Sequence, residues 1–443
     1  MRPSSKSRFL GFVLFATSVS LFAQAPVSDR KFQVIEIRGT PHERGLQHGK
    51  LLRESIRRAV DAWREDLRGT YGADPDVFIK KFLAATDYVP AIEKWTPDLL
   101  QEVRGIAEGA GVDFSTMLVY QLPDEYWVNG SVASRDHCSA LGVAATKDHS
   151  SIVAQNADVE GFRDGFQTIL HITEPTGLEQ FVLTAPGLIG FNGMNSKGVG
   201  VTTNTLTQLA SRREGLPVAF VVRGVLERVG FNEARAFLRA IRHASGQNYT
   251  LGGGGRVTCF EASANKVIQI DPPSAGAFVY HTNHPVANRD YSGFGILAMA
   301  NADPTDSSHT RYDALRKRLS ADPGKGIIDM VQATLRSRDS ELYPVCRPHR
   351  DNQHVFTYAS TIMVLDTKPY LIAAPGPPDQ YEYSVFRFAA KGNSSTRWPV
   401  TPARRFRNGS SIVPYGITPG VDSMPAHQSA VLLQPEVPPR LAR

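Results

Sequence analysis

The chain has 443 residues, with 49 Lys and Arg against 43 Asp and Glu and a formal net charge of +6. On length alone it can bury a large core and fold as one to three domains. Its basic residues are dispersed, with short runs only at Arg316-Lys317-Arg318 and Arg404-Arg405-Phe406-Arg407. This distribution excludes the concentrated basic stripe with interleaved aromatics that marks a nucleic-acid binder.

In chain order, Arg2, Lys6 and Arg8 precede an apolar run from Phe9 to Phe22, and Ala23-Gln24-Ala25 follows as a small-x-small site. This is the pattern of a secretory signal over residues 1–25, so a secreted or periplasmic protein is expected. The apolar run is short for a spanning helix and no second one of spanning length follows, so no integral membrane domain is expected. Residues 31–40, KFQVIEIRGT, read as a strand. Thr40, Pro41 and Glu43 then form a capping box with proline at the first helical position. Leu52, Ile56, Val60, Trp63 and Leu67 recur at helical spacing and predict one amphipathic helix continuing from that cap. A second start at Thr96-Pro97 carries Leu100, Val103 and Ile106 on one face and closes at Gly109. Residues 26–137 are thus a helical N-terminal segment.

From Cys138 the period changes. HCSALGVAAT, SSIVAQNADV, QTILHITEP, QFVLTAPG and KGVGVTTNTL are short strand-like runs separated by turn residues. Helices are predicted at 216–227 and 231–244, strands at RVTCFEA, NKVIQID and AFVYHTN, helices at 312–319 and 327–335, and final strands at STIMVLD, PYLIAAP and EYSVFRF. Elements arriving in blocks predict layered α+β with antiparallel sheets over 138–390. Gly252 to Gly255 lack the Lys and hydroxyl ending of a phosphate loop and read as a plain turn. Residues 391–443 are rich in Pro, Ser and Arg without periodicity and read as a mobile tail.

Three cysteines, Cys138, Cys259 and Cys346, leave at least one thiol unpaired in a monomer. Cys259 and Cys346 read as small buried hydrophobes. His349 and His354 beside Cys346 give no regular ligand spacing, so neither a metal nor any other cofactor is expected. Cys138 stands at the first residue of a strand, outside any papain-like cysteine motif. A cut between His137 and Cys138 would make it a chain terminus. Its α-amino group, with a reference pKa of roughly 7.7–8.0, could then deprotonate its own thiol, as in N-terminal threonine nucleophiles. A simple packing role is the alternative.

RGTPHERGLQHGK (38–50), EVRGIAEGAGVDFS (102–115), DHCSALGV, AQNADV, GFNGMNSKGVGVTTNTL (190–206), VYHTNH (279–284) and DSSHTRYDALRKRL (306–319) occur in that order. Together they resemble the acyl-coenzyme A:6-aminopenicillanic acid acyltransferase family of N-terminal-nucleophile hydrolases, from about residue 33 to about 388. The resemblance implies a four-layer αββα sandwich of two stacked antiparallel sheets flanked by helices. It implies an inactive precursor that cuts itself between His137 and Cys138, leaving a smaller and a larger chain associated as a heterodimer. Cys138 would then be the nucleophile, forming a thioester with the acyl group of a small N-acyl substrate. By the same resemblance Asn283 is the oxyanion-hole asparagine, Asp158 orients the new α-amino group, Asn204 assists the oxyanion hole and Arg311 lies near the nucleophile. His137 replaces the small residue common before the cut. Ala157 replaces a frequent aromatic, which argues against assuming the penicillin substrate. Two other readings stay open: a binding protein that kept the fold and lost catalysis, and an ester- or lipid-cleaving relative.

Overall fold

The computed structural model describes residues 30–129, 138–274, 276–320, 326–350 and 354–388. The signal segment 1–25, His137 and the tail 391–443 lie outside the described residues. Strand β1 (Gln33–Arg38) leads into helices α1 (Pro41–Leu51), α2 (Arg53–Tyr71), α3 (Pro75–Ala85), α4 (Val89–Trp95), α5 (Pro97–Ala110), α6 (Phe114–Tyr120) and α7 (Pro123–Asn129). Strands β2 (Ser139–Val143), β3 (Ser151–Glu160), β4 (Thr168–Thr173), β5 (Glu179–Thr184), β6 (Asn192–Asn195) and β7 (Gly200–Thr205) come next. Helices α8 (Val218–Leu226) and α9 (Phe231–Ala240) precede β8 (Gln247–Gly253), β9 (Arg256–Ala262), β10 (Val267–Ile270) and β11 (Phe278–His281). The described chain closes with α10 (Gly293–Ala300), α11 (Ser307–Leu319), α12 (Ile327–Leu335), β12 (Val355–Leu365), β13 (Tyr370–Ala374) and β14 (Ser384–Arg387).

The strands form an eight-stranded sheet, β1-β4-β5-β6-β7-β8-β9-β10, and a six-stranded sheet, β11-β2-β3-β12-β13-β14. Alternation along each strand decides which layer a side chain joins. Val153 and Met363 of the six-stranded sheet meet Ile169, Phe181, Met194 and Val257 of the eight-stranded one, forming the core between the sheets. Their neighbours Ile152, Ala154, Ile362 and Val364 turn outward onto Leu315, Leu319, Val331 and Leu335 of α11 and α12. Leu170 and Val182 turn outward into the core built by the N-terminal helices and α8. This is the αββα layering expected from the resemblance.

The Thr40–Glu43 capping box forms as expected, but the single helix expected after it is two. Leu52, with φ −111° and ψ 18°, leaves the helical region between α1 and α2. Glycines bring α1 against α5 at backbone contact. A Cβ at Gly45 would lie 1.9 Å from the carbonyl oxygen of Glu102. That contact fixes the path of α1, while the apolar stripe of α2 (Ile56, Val60, Trp63, Leu67) follows its own buried face. The sheets are antiparallel except that β1 runs parallel to β4. Helices α1 to α7 and strands β2 and β3 separate β1 from β4 in the chain, so no tight turn forces its direction.

Gly252 and Gly253 belong to β8 rather than to a plain turn, which is confined to Gly254-Gly255. A Cβ at Gly252 would stand 2.5 Å from a Leu365 methyl and 2.6 Å from a Val153 methyl, so the close approach of the sheets requires glycine there.

Candidate active site

β2 lies between β11 and β3, and Cys138 is the residue before its first paired position. Ser139 pairs with Asn156. This register brings Cys138 to the Ala157–Asp158 end of β3, where its half-buried thiol donates to the Asp158 carbonyl at 3.7 Å. The alternation that carries Gly142 to the inter-sheet face, against Val257 and Thr250, carries Cys138 the same way. Ser139 points outward to α11.

The Asp158 carboxylate is buried. Its Oδ1 accepts a 2.7 Å hydrogen bond from the Thr357 hydroxyl, and its Oδ2 stands 3.8 Å from Arg347 Nε. Burial pushes its pKa up to about 6, against the opposing pull of Arg347, Arg311 and the Thr357 hydroxyl. Arg347 is itself held by two hydrogen bonds to Thr357. Its backbone N–H donates to the Thr357 hydroxyl and its carbonyl accepts from the Thr357 N–H, each at 2.9 Å.

Arg311 reaches the site from α11, whose N-terminus is capped by Asp306. Its guanidinium donates to the Cys138 carbonyl, to Ser139 Oγ at 3.0 Å, to Asn283 Oδ1 at 3.1 Å and to Ser307 Oγ at 3.4 Å. Arg347 donates to the same Ser307 hydroxyl at 3.1 Å. Burial, and then the Arg347 charge, bring the Arg311 pKa down to about 10, so it remains cationic at neutral pH. Two buried guanidiniums, Arg347 and Arg311, therefore act on one carboxylate and favour its ionised form against the larger effect of burial.

Asn283 follows β11. Its backbone N–H donates to Ser308 Oγ at 2.8 Å, and its amide Nδ2 donates to the Thr205 carbonyl at 3.2 Å. With Oδ1 bound to Arg311, the carboxamide is fixed in one orientation. A second Nδ2 hydrogen is then left for a further acceptor. The turn behind it is tied down by buried Glu261, which accepts from His281 Nε2 at 2.7 Å and from the Ala287 N–H at 2.9 Å. His284 stacks on His309 at 3.9 Å and accepts or donates at Ser308 Oγ. Burial and the neighbouring His309 lower its pKa to about 3, so it is neutral at physiological pH.

The structure thus brings Cys138, Asp158, Asn283 and Arg311 together and sets Asn204 one step away. Asn204, on β7, donates to the His281 carbonyl at 3.5 Å and accepts from Asn248 at 2.9 Å. Those bonds hold the end of β11 two residues before Asn283. Arg311 donates to the carbonyl of Cys138. Arg347, Thr357, Ser307 and Ser308 were missed by sequence reasoning. Arg347, in the loop before β12, carries no local spacing that would single it out.

Residues 144–373 match the family described as acyl-coenzyme A:6-aminopenicillanic acid acyl-transferase. The chain is 25% identical over 326 residues to the acyl-coenzyme A:6-aminopenicillanic-acid-acyltransferase 40 kDa form of Emericella nidulans, spanning 72% of this chain and 85% of that relative. Two solved structures are similar at lower identity. One is a variant of conjugated bile acid hydrolase from Clostridium perfringens (14% identity, TM-score 0.37, 57% of this chain and 97% of that one). The other is penicillin V acylase from Agrobacterium tumefaciens (12% identity, TM-score 0.31, 53% and 82%). With more than half of its length matching, the chain belongs to the acyl-coenzyme A:6-aminopenicillanic acid acyl-transferase family.

Proposed function

We propose that the chain is a self-processing cysteine amidohydrolase or acyltransferase that works through a thioester on Cys138. The observation that carries this reading is the Arg311 clamp. One buried guanidinium joins the Cys138 carbonyl, the Ser139 hydroxyl and the Asn283 amide, beside the Asp158 carboxylate. Asn204 acts as a positioning residue through the end of β11.

In maturation the Cys138 thiol attacks the His137 carbonyl carbon. The new C–S bond replaces the C–N bond, and the released nitrogen takes a proton to become the Cys138 α-amine. Water then cleaves the resulting ester of the thiol. In turnover the α-amine accepts the thiol proton, near the pH at which it works best as a base. The thiolate adds to the acyl carbon of an N-acyl substrate, and Asn283 Nδ2 donates to the tetrahedral oxyanion. The leaving amine takes the proton from the α-ammonium, and water or an acceptor amine removes the acyl group. Asp158 holds the α-ammonium by a charge-assisted hydrogen bond.

The Emericella nidulans relative is named for transfer of an acyl group to an amine. For an exported protein, as the segment 1–25 supports, water is the more available acceptor and hydrolysis is the reaction we propose. Faster acyl transfer to an added amine than hydrolysis in the purified protein would overturn that preference.

The test is intact mass of the purified protein beside Cys138→Ala. We expect two chains, one starting at Cys138, in the first and one uncut chain in the second. A single uncut chain in both would return the non-catalytic binding-protein reading.

A further inference from the structure

Helix α10 reads Gly-Phe-Gly-Ile-Leu-Ala-Met-Ala, and within it only Gly295 is buried. Phe294 is 51% exposed, Ile296 58% and Leu297 65%. A helix apolar on all sides is ordinarily buried, and an exposed apolar patch ordinarily meets something. This helix is firmly mounted. A Cβ at Gly295 would lie 1.7 Å from the Gln208 carbonyl oxygen, and the cap residue Ser292 donates its backbone N–H to that oxygen at 3.0 Å. Gln208 in turn donates from its side chain to the Asn283 carbonyl at 3.1 Å. The apolar helix and the Asn283 backbone therefore share one support. Beside the helix lies a small, open depression lined by Trp127, Val128, Leu209 and Phe294, with Thr207, Ser211 and Ser292 on its polar side.

Resting on the thioester reading above, we propose that α10 and this depression hold the hydrocarbon chain of a long-chain N-acyl substrate. Charge selects this occupant. From Tyr291 to Thr310 there is no Lys or Arg, and Asp303 and Asp306 follow the helix. The nearest preceding cation, Arg289, donates to Tyr291 Oη at 2.7 Å. An anionic lipid surface finds no cation on the helix, and one eight-residue helix offers little of the area that a stable dimer buries. An uncharged alkyl chain needs neither.

The experiment compares kcat/KM for acetyl, hexanoyl, decanoyl and tetradecanoyl amides of a fluorogenic aminocoumarin, in the wild type, Leu297→Gln and Ile296→Gln. We expect kcat/KM to rise with chain length, by about fourfold per methylene that becomes buried. Each variant should lose about tenfold on the tetradecanoyl amide, the equivalent of one partly buried side chain, and keep its rate on the acetyl amide. A flat chain-length profile, or an equal loss on all four, overturns the proposal. Binding of a brominated dodecanol, read by tryptophan quenching, needs no turnover. Quenching that Leu297→Gln abolishes, with no amide cleaved, keeps the depression and rejects the catalytic reading. Cleavage without quenching or chain-length dependence rejects the depression alone, and absence of both rejects both. Without a chain-length effect, a dimer that Leu297→Gln dissociates, or sedimentation with phosphatidylcholine vesicles, assigns the face to a second copy or a membrane and overturns the proposal.

Discussion

In the proposed reaction, Asn283 and Asp158 divide the chemistry around Cys138 between a neutral donor and a buried acid. Asn283 is oriented by Arg311 on its oxygen and by Thr205 on its nitrogen, so it can meet an oxyanion without reorganising. Asn283→Ala should lower kcat by about 10²–10³ with a much smaller change in KM, measured by steady-state kinetics on any cleaved amide. Asp158 gives a pH dependence whose sign follows from burial. Its folded pKa of about 6 lies above the ordinary 3.8. The folded chain therefore keeps the proton that the unfolded chain releases. The contribution is full below the ordinary Asp pKa and is lost as pH rises through about 6. Read as the difference between the urea-unfolding profiles of the uncut Cys138→Ala variant with and without Asp158→Asn, this contribution should fall over that window by up to roughly 1.4 kcal/mol per pH unit. In the matured protein the α-ammonium beside Asp158 should flatten that fall.

At the scale of elements, α1, α5 and α8 are joined through one buried carboxylate. Glu102 accepts from Arg223 at 2.7 and 3.1 Å and from Arg44 at 3.1 Å, and all three side chains are buried. Removing the charge leaves two buried guanidiniums without the carboxylate that both of them bind. Glu102→Gln should cost about 3–5 kcal/mol, read from the denaturant midpoint. The neighbouring glycines make the same junction intolerant of bulk, since the α1 and α5 backbones touch at Gly45 and Gly105. The exposed α10 is the opposite case. It is held by its capping residue and one glycine and contributes little to the core, so its substitutions should act on substrates rather than on stability.

Across the whole molecule, the contacts between the segment before Cys138 and the segment after it are extensive. β1 pairs with β4 over six registered positions, Gln33 to Arg38 with Thr168 to Thr173. Arg223 reaches Glu102, and Glu125 accepts from the Val218 N–H at 3.0 Å and from Ser245 at 2.9 Å. A matured sample should therefore elute as one species in gel filtration and separate into two chains only in denaturant. Two separate native peaks would mean that these contacts do not outlast the cut.

Local chemistry in the chain was enough to determine the Thr40 capping box, the change from helical to strand period at Cys138, and the placement of Cys138 at the head of a strand. Each depends on neighbours within a few residues, where propensity and periodicity act directly. β6 (Asn-Gly-Met-Asn) escaped that reading because it shows no apolar alternation, and β8 because its one alternating pair, Tyr249 and Leu251, runs straight into the glycines. They are strands because adjacent strands pair with them and the opposing sheet presses close. The site itself was half legible. Cys138, Asp158, Asn283 and Arg311 were reachable through ordered sequence blocks, but their mutual contacts were not. Arg311 meets the Cys138 carbonyl across 173 residues of chain, and Thr357 meets Asp158 across 199. Arg347 had no signal of its own, since only the closing of β12 against β3 brings it to the carboxylate. Such meetings, like the parallel entry of β1 and the exposure of α10, depend on how finished layers pack, which short-range patterning does not constrain.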